Sequence, residues 1–383
     1  MKRFAFFPGC LIPARHPAME FAIRETMPRL DIELVDLEGA SCCPDPIYFK
    51  SKDKLSWLAV AARNLCLAEE LGVDLVTNCS GCTATLSETY HMLHEDPEVN
   101  ARVNARLAKI GKVYKGTSRI RHIATVVRDE AGYETIRNSV THPLVGLKVA
   151  IHYGCHLLKP SRIMQVDDPN NPEVLEKLVE ALGATPVRHS NWYLCCGKAC
   201  QDEDVPANMM HDLLATVHDE HADILGMICP TCFGQFDHGQ MKVSKLYDED
   251  FRTPPIYYFQ LLALAQHLVR RIETERSGER EVVALRDGQW SVTEPVQAPA
   301  EEPAAGAFDL GSSQFHDIKR YPREGGGWRY VAVLLDAEGR IRFVQRNETG
   351  SVPDFDEIAA AAFMAGVHRR LILDADDAAA VLS

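Results

Sequence analysis

Two stretches decide the reading of this chain: Asp74-Leu75-Val76-Thr77-Asn78-Cys79-Ser80-Gly81-Cys82 and Ile224-Leu225-Gly226-Met227-Ile228-Cys229-Pro230-Thr231-Cys232. Each is a short apolar run of strand type that ends on a C-x-x-C. Upstream of each lies an adjacent pair, Cys42-Cys43 in the first case and Cys195-Cys196 in the second. A lone cysteine precedes each pair, Cys10 and Cys155. Corresponding cysteines are 145 (10 to 155), 153 (42 to 195) and 150 (79 to 229) positions apart. Ten of the twelve cysteines therefore form one five-cysteine pattern written twice. Five converging thiolates per copy exceed what packing requires, and soft sulfur donors select iron–sulfur clusters, zinc or copper(I).

Outward from these stretches the chain alternates short strands with helices. Arg3–Phe7, Glu33–Val35 and Asp74–Thr77 read as strands in the first copy, with helical patterns over Leu55–Leu71, Thr83–Leu93 and Val99–Ile110. In the second copy Lys148–His152 and Ile224–Ile228 read as strands, Pro172–Leu182 and Ala207–His218 as helices, and Ile256–Ile272 as a closing helix. Such alternation predicts an α/β fold, two pseudo-symmetric halves each with a mostly parallel sheet. Cysteines at the carboxyl ends of the strands then stand where α/β sheets present ligands. The expected boundaries are 1–145 for the first domain, 146–273 for the second, 274–308 for a linker and 309–383 for a small C-terminal module. The linker contains VTEPVQAPAEEPAAGA (Val292–Ala307), a low-complexity Pro/Ala/Glu run. The module reads as ββα: Trp328–Leu335 and Arg340–Gln345 as a hairpin, Phe355–Leu373 as a helix, with no cysteine.

Composition narrows the function. The net charge of −13 argues against nucleic acids and anionic membranes, which need a basic face. No uncharged run approaches the roughly 18–20 apolar residues of a membrane span, and Pro8-Gly9 breaks the short apolar start. A cytoplasmic location is expected, where clustered thiols are metal ligands rather than disulfides. No G-x-G-x-x-G, P-loop or G-x-S-x-G occurs, so no nucleotide or flavin site is expected in this chain.

A structural zinc site normally takes four ligands in two knuckles. Here each copy offers five cysteines, two of them adjacent, and neighbours in an extended strand point to opposite sides. A multi-iron cluster spreads its ligand positions and accepts both; zinc and redox disulfides are the alternatives. Pro44, Pro46 and Gly197 supply turn chemistry after the pairs, and Gly9 and Gly154 before the lone cysteines suit close backbone approach. Cys66 sits mid-helix and is read as core. Cys200, four residues after Cys196, is a candidate exchangeable thiol. His156 and Lys159, just after Cys155, are candidate acids that would protonate a leaving thiolate.

The pattern C-x(31)-CC-x(35)-C-x-x-C from Cys10 to Cys82 resembles the cysteine-rich CCG domain. Two such domains without a ferredoxin motif look like the B-type polypeptide of heterodisulfide reductase. Longer segments carry the closer likeness: Phe6-Phe7-Pro8-Gly9-Cys10, Glu38-Gly39-Ala40-Ser41-Cys42-Cys43-Pro44, Ala61-Ala62-Arg63-Asn64-Leu65-Cys66 and His152-Tyr153-Gly154-Cys155-His156-Leu157-Leu158-Lys159-Pro160. Cys229-Pro230-Thr231-Cys232-Phe233, followed by Gln235-Phe236-Asp237, extends it, so that the likeness covers roughly residues 1–272. The resemblance implies two noncubane [4Fe–4S] clusters. Cys10, Cys42, Cys43, Cys79 and Cys82 would bind one; Cys155, Cys195, Cys196, Cys229 and Cys232 would bind the other. It further implies reduction or formation of a disulfide between two thiols. Electrons would pass through a C-like iron–sulfur subunit to or from a flavin-containing A-like subunit.

The second copy departs from the pattern. Its interval from Cys196 to Cys229 is 32 residues, against 35 in the first, and Lys198-Ala199-Cys200-Gln201-Asp202 stands where a Gly-rich stretch is expected. Two other functions follow from the same residues. One is an electron-transfer role in a sulfur-oxidation or quinone-linked complex, without a thiol substrate of its own. The other is a zinc-stabilised scaffold. The C-terminal module would serve the partner interface, a dimer contact or a carrier protein that bears the thiol.

Overall fold

The computed structural model describes residues 1–268 except 201, 203, 250 and 252. Beyond these it describes the backbone of six strands between residues 271 and 346. Two compact units divide the chain, Met1–Ala298 and Pro299–Ser383.

In the first unit, strands β1 (Lys2–Phe7), β2 (Ile32–Asp36), β3 (Leu75–Thr77) and β4 (Ile120–His122) form a parallel sheet in the order β2-β1-β3-β4. Strands β5 (Lys148–His152), β6 (Thr185–Val187), β7 (Ile224–Met227) and β8 (Pro255–Tyr257) repeat it as β6-β5-β7-β8. The inner strands are buried along most of their length: Phe4 to Phe7 in β1, Val149 to His152 in β5 and all of β7. That explains their continuous apolar runs, since a parallel sheet covered on both faces has no solvent side to alternate with. The covering helices include Lys54–Leu71 and Ser80–Glu95 in the first half, and Asp204–Asp219 and Pro230–Tyr247 in the second. Asp53 caps Lys54–Leu71 by accepting from the Ser56 amide, and Gly72 closes it in a left-handed turn.

From the lone-cysteine strand each sheet grows first to one side and then to the other. β1 is flanked by β2 and β3, β5 by β6 and β7. This is a topological switch point, the place where the crevice of an open α/β sheet lies beyond the strand ends. Cys10 and Cys79 follow the ends of β1 and β3; Cys155 and Cys229 follow β5 and β7. The segment after each lone cysteine crosses to the opposite half. Helix Leu11–Arg15 packs on Pro230–Tyr247, and Ser161–Met164 packs on Ser80–Glu95.

Several expectations need correction. Ile256–Ile272 is not one helix: Pro255–Tyr257 is the fourth strand of the second sheet, Tyr258–Ala265 is helical, and Arg271–Arg276 is a strand. The β-branched and aromatic residues Ile256 and Tyr257 fit a buried parallel strand, a choice that periodicity does not reveal in three residues. The stretch expected as linker carries structure as far as Val296. Arg271–Arg276, Glu279–Arg286 and Gln289–Val296 pair antiparallel, so Val282, Val283, Leu285, Trp290 and Val292 fall in strands. In the second unit Gln314–Pro322 pairs with Trp328–Leu335, which pairs with Ile341–Arg346. The expected hairpin is there, with a third strand before it; the helix expected over Phe355–Leu373 lies outside the described residues.

Candidate metal centre

Each C-x-x-C opens a long helix. Cys79 is the N-cap of Ser80–Glu95 and Cys229 the N-cap of Pro230–Tyr247, in extended conformation, so both motifs sit at the positive ends of helix dipoles. That placement favours thiolate, the form that binds metals.

The ten thiols form one unbroken row. Cys10 stands beside Cys42, Cys42 beside Cys43, Cys43 beside Cys82 and Cys82 beside Cys79, each close enough to act on its neighbour's proton. In the second half Cys155 lies 3.6 Å from Cys195, and the row continues through Cys196 and Cys232 to Cys229. Cys79 and Cys229 stand side by side, each acting on the other's proton, and close the gap between the halves. Three thiols of the row, Cys43, Cys229 and Cys195, are pulled below the ordinary thiol value, and the other seven are pushed above it. Hydrogen bonds from Cys42 and Cys82 bring the Cys43 thiol down to about 5. Those from Cys155 and Cys196 bring Cys195 down to about 2, and the bond to Cys195 pushes Cys196 up to about 12. Cys229 is held well below the ordinary thiol value by its bonds to Cys232 and Cys79.

Two glycines shape the row in the same way. Gly9 and Gly154 have φ of +72° and +70°, a left-handed backbone that favours glycine. A Cβ at Gly9 would meet Cys82 Sγ at 3.1 Å, and one at Gly154 would meet Cys232 Sγ at 3.2 Å. Each lone-cysteine loop thus lies against the second cysteine of its own C-x-x-C. The first adjacent pair is held from behind by buried Asn64. Its Oδ1 accepts from the Ser41 amide (2.9 Å), and its Nδ2 donates to the Cys42 carbonyl (3.2 Å). Arg63 donates to the Gly39 carbonyl, and Thr85 to that of Pro44. In the second half the Gly197 amide donates to Cys195 Sγ at 3.4 Å.

Around the row stand buried polar atoms without hydrogen-bond partners: both side-chain atoms of Asn78, Ser80 Oγ and both ring nitrogens of His152. Burial lowers His122 and His152 to about 4, so both rings are neutral. Unsatisfied buried groups cost roughly 1–3 kcal/mol each, and a concentration of them beside ten thiols marks a place where another chemical group belongs. Among the described residues no three His, Cys, Asp or Glu side chains close on one point as a single ion requires. Five donors strung along a row, with backbone pulled in at a glycine, suit a group larger than one ion. The donor set fits an iron–sulfur cluster in each half.

The remaining candidates lie at the edge. His156 is half-buried beside Cys155, and Lys159 is exposed, with its amide donating to the Cys155 carbonyl (3.1 Å). Cys200 is exposed and fixed by its amide to the Gly197 carbonyl (2.9 Å); its sulfur is not part of the row. Cys66 is buried in its helix and pushed up to about 12 by that burial, as a core thiol. Asn64, Asn78, His122 and Tyr257 have no counterpart among the expected site residues. Their only sequence signal is a polar side chain set in an apolar strand or helix.

Fold and site together define a protein of two cysteine-rich domains whose thiol sets meet. The family model of the cysteine-rich CCG domain matches residues 4–87 and 149–237, one match per half. Over 269 residues the chain is 40% identical to the B-type polypeptide of the ferredoxin/F(420)H(2)-dependent CoB-CoM heterodisulfide reductase of Methanosarcina acetivorans, covering 69% of this chain and 89% of that protein. The chain belongs to the family of B-type heterodisulfide reductase polypeptides. It is also 33% identical to the 8-methylmenaquinol:fumarate reductase membrane anchor subunit of Wolinella succinogenes, over 69% of this chain and 92% of that protein. A crystal structure of a hypothetical protein from Helicobacter pylori shares the fold. Its TM-score is 0.54 at 18% identity, over 69% of this chain and 49% of that one.

Proposed function

We propose that the chain is the iron–sulfur catalytic subunit of a heterodisulfide reductase-like complex, and that it cleaves or forms a disulfide between two thiols. The observation that carries this reading is the Cys79–Cys229 contact, which makes one continuous site of two five-thiol sets. Cys10, Cys42, Cys43, Cys79 and Cys82 hold one noncubane [4Fe–4S] cluster, and Cys155, Cys195, Cys196, Cys229 and Cys232 the other. When bound, the clusters supply the two electrons that cleavage of a disulfide consumes. Two protons are taken up as well, so R–S–S–R′ becomes RSH and R′SH. His156 and Lys159 stand beside the lone cysteine of the second half, placed to give a proton to a departing thiolate. Cys200 is an exchangeable thiol at the rim. Asn64 and the two glycines orient the ligand loops, while the burial of Cys79 and Cys229 keeps water from the junction.

The electrons come from or go to other subunits, a C-like iron–sulfur protein and a flavin-containing A-like protein. Likeness to the Wolinella protein favours a second reading, electron transfer in a quinone-linked complex without a thiol substrate. Among the described residues no helix is long and apolar enough to cross a membrane.

The test is anaerobic purification of the chain with its partners, then iron analysis and electron paramagnetic resonance with and without candidate thiols and disulfides. About eight irons per chain are expected, four per cluster, with one signal perturbed by a thiol. Full iron content with no perturbation by any thiol selects electron transfer. A colourless zinc protein overturns both.

A further inference from the structure

The halves share their sheet order, their five-thiol sets and their glycine turns, but they differ in the buried side chain that ends the strand before the lone cysteine. Phe7 ends β1 and His152 ends β5. Both precede the lone cysteine by three positions, and both are about 1% exposed. Phe7 brings a hydrocarbon ring to the first half. His152 brings two polar nitrogens to the second, and neither has a hydrogen-bond partner.

The ring is aimed at the thiols. A methyl group placed on Gly154 would touch Cys232 Sγ at 3.2 Å and His152 Nε2 at 3.7 Å, so sulfur and nitrogen face the same point. Cys229 and Cys195 act on the ring electrostatically from their positions in the row. Phe236 closes its other side, edge to face at 4.9 Å, and offers no acceptor. His189 is the neighbouring imidazole, but its own nitrogens are engaged with Thr216 Oγ1 and the Ile151 carbonyl. Every imidazole tautomer carries at least one N–H. A dry site thus holds a donor with no acceptor except the group that the thiols bind.

We infer that His152 is a positioning residue that donates a hydrogen bond to the sulfur of the second half's cluster and makes the two clusters unequal in potential. Hydrogen bonds to cluster sulfur stabilise the more negative, reduced state and raise the reduction potential. With Phe7 in the matching place, the first half lacks that bond. By this bond the second half takes an electron first and gives it up last; the unpartnered donors Asn78 Nδ2 and Ser80 Oγ, which flank Cys79, act in the opposite sense. The inference rests on the two-cluster reading, and iron content separates the failure of one from the failure of the other.

The experiment is a potentiometric titration of the full chain, anaerobically loaded with iron, followed by electron paramagnetic resonance. Wild type, H152F, H152Q and F7H are compared. Two unequal waves are expected in wild type. H152F moves only the higher wave, and moves it down; H152Q restores part of the shift, because its amide still donates. F7H raises the lower wave. If H152F fails to retain iron, F7H and histidine-15N-labelled wild type carry the test. A histidine nitrogen coupled to the cluster of higher potential supports the inference. Loaded clusters whose waves do not move in H152F or F7H overturn it, as does an H152Q shift equal to that of H152F. Too little iron in the wild type defeats the two-cluster reading instead.

Discussion

The Tyr257 hydroxyl donates a 2.6 Å hydrogen bond to the Asn78 carbonyl, joining the last strand of the second sheet to the residue that precedes Cys79 in the first. A matching approach runs the other way. His122, at the end of β4, has the Ile228 carbonyl against its ring, and Ile228 precedes Cys229. The outer strand of each half thus reaches over the C-x-x-C of the other. The Tyr257 bond is fully buried, and Tyr257→Phe leaves the Asn78 carbonyl unsatisfied. A loss of about 1–3 kcal/mol in urea denaturation is expected, as removal of one partner of a buried pair costs that much. A loss below a few tenths of a kcal/mol sinks the claim that this bond holds the halves in register.

Asn64 supports only the first adjacent pair. Asn64→Ala removes its three loop hydrogen bonds, two from Ser41 and one to the Cys42 carbonyl, without touching a thiol. Supporting residues of metal ligands are typically worth about 10–100-fold in metal affinity. Chelator challenge is therefore expected to strip iron from the first half faster than from the second. Equal release from the two halves counts against the assignment.

Gly9 and Gly154 allow a symmetric comparison. Alanine at either adds a Cβ within 3.1–3.2 Å of a sulfur and strains a left-handed backbone. Such a residue costs about 1–3 kcal/mol, before any displacement of sulfur. Gly9→Ala is expected to disturb the first half's spectrum and Gly154→Ala the second's. One common change in both variants tells against separate sites.

The doubled cysteine pattern and the strands that carry it were legible because they are local. Lys148–His152 reads as a strand from its apolar run, and C-x-x-C marks its own helix start. The contacts that make one site of two were not legible. Tyr257 lies in a three-residue strand inside a longer apolar run, where helix and strand patterns coincide. Its bond to Asn78 spans 179 residues, and no spacing rule relates them. His152 is visible beside the motif, but only the packed structure shows that its nitrogens are unpartnered while His156 sits nearer the surface.

His189, behind His152, predicts an acid-sensitive fold. Burial lowers it from 6.5 to about 4, with the Ile151 carbonyl acting in the opposite sense. Above about pH 6.5 it is neutral in both folded and unfolded chains. Below that the unfolded chain binds a proton that the folded one refuses until about pH 4, so stability falls as pH falls through this window. The loss at pH 5 is about 2 kcal/mol for this group, at 1.36 kcal/mol per unit. Urea denaturation at pH 7 and pH 5 measures it, and His189→Gln should flatten the difference by that amount. An unchanged slope in the variant assigns the acid sensitivity elsewhere.

The contact between Cys79 and Cys229 predicts that damage at the junction crosses between the halves. Cys10 neighbours Cys42 at the exposed end of its row, whereas Cys79 has Cys82 on one side and Cys229 on the other. Cys10→Ser should therefore alter the first half's signal alone. Cys79→Ser changes the group that faces Cys229 across the junction, so it should also alter the second half's signal, although Cys79 belongs to the first motif. Paramagnetic resonance on the two variants, loaded under identical conditions, makes the comparison directly. A second-half signal that is unchanged in Cys79→Ser means that the two thiol sets act independently, and the single continuous site fails.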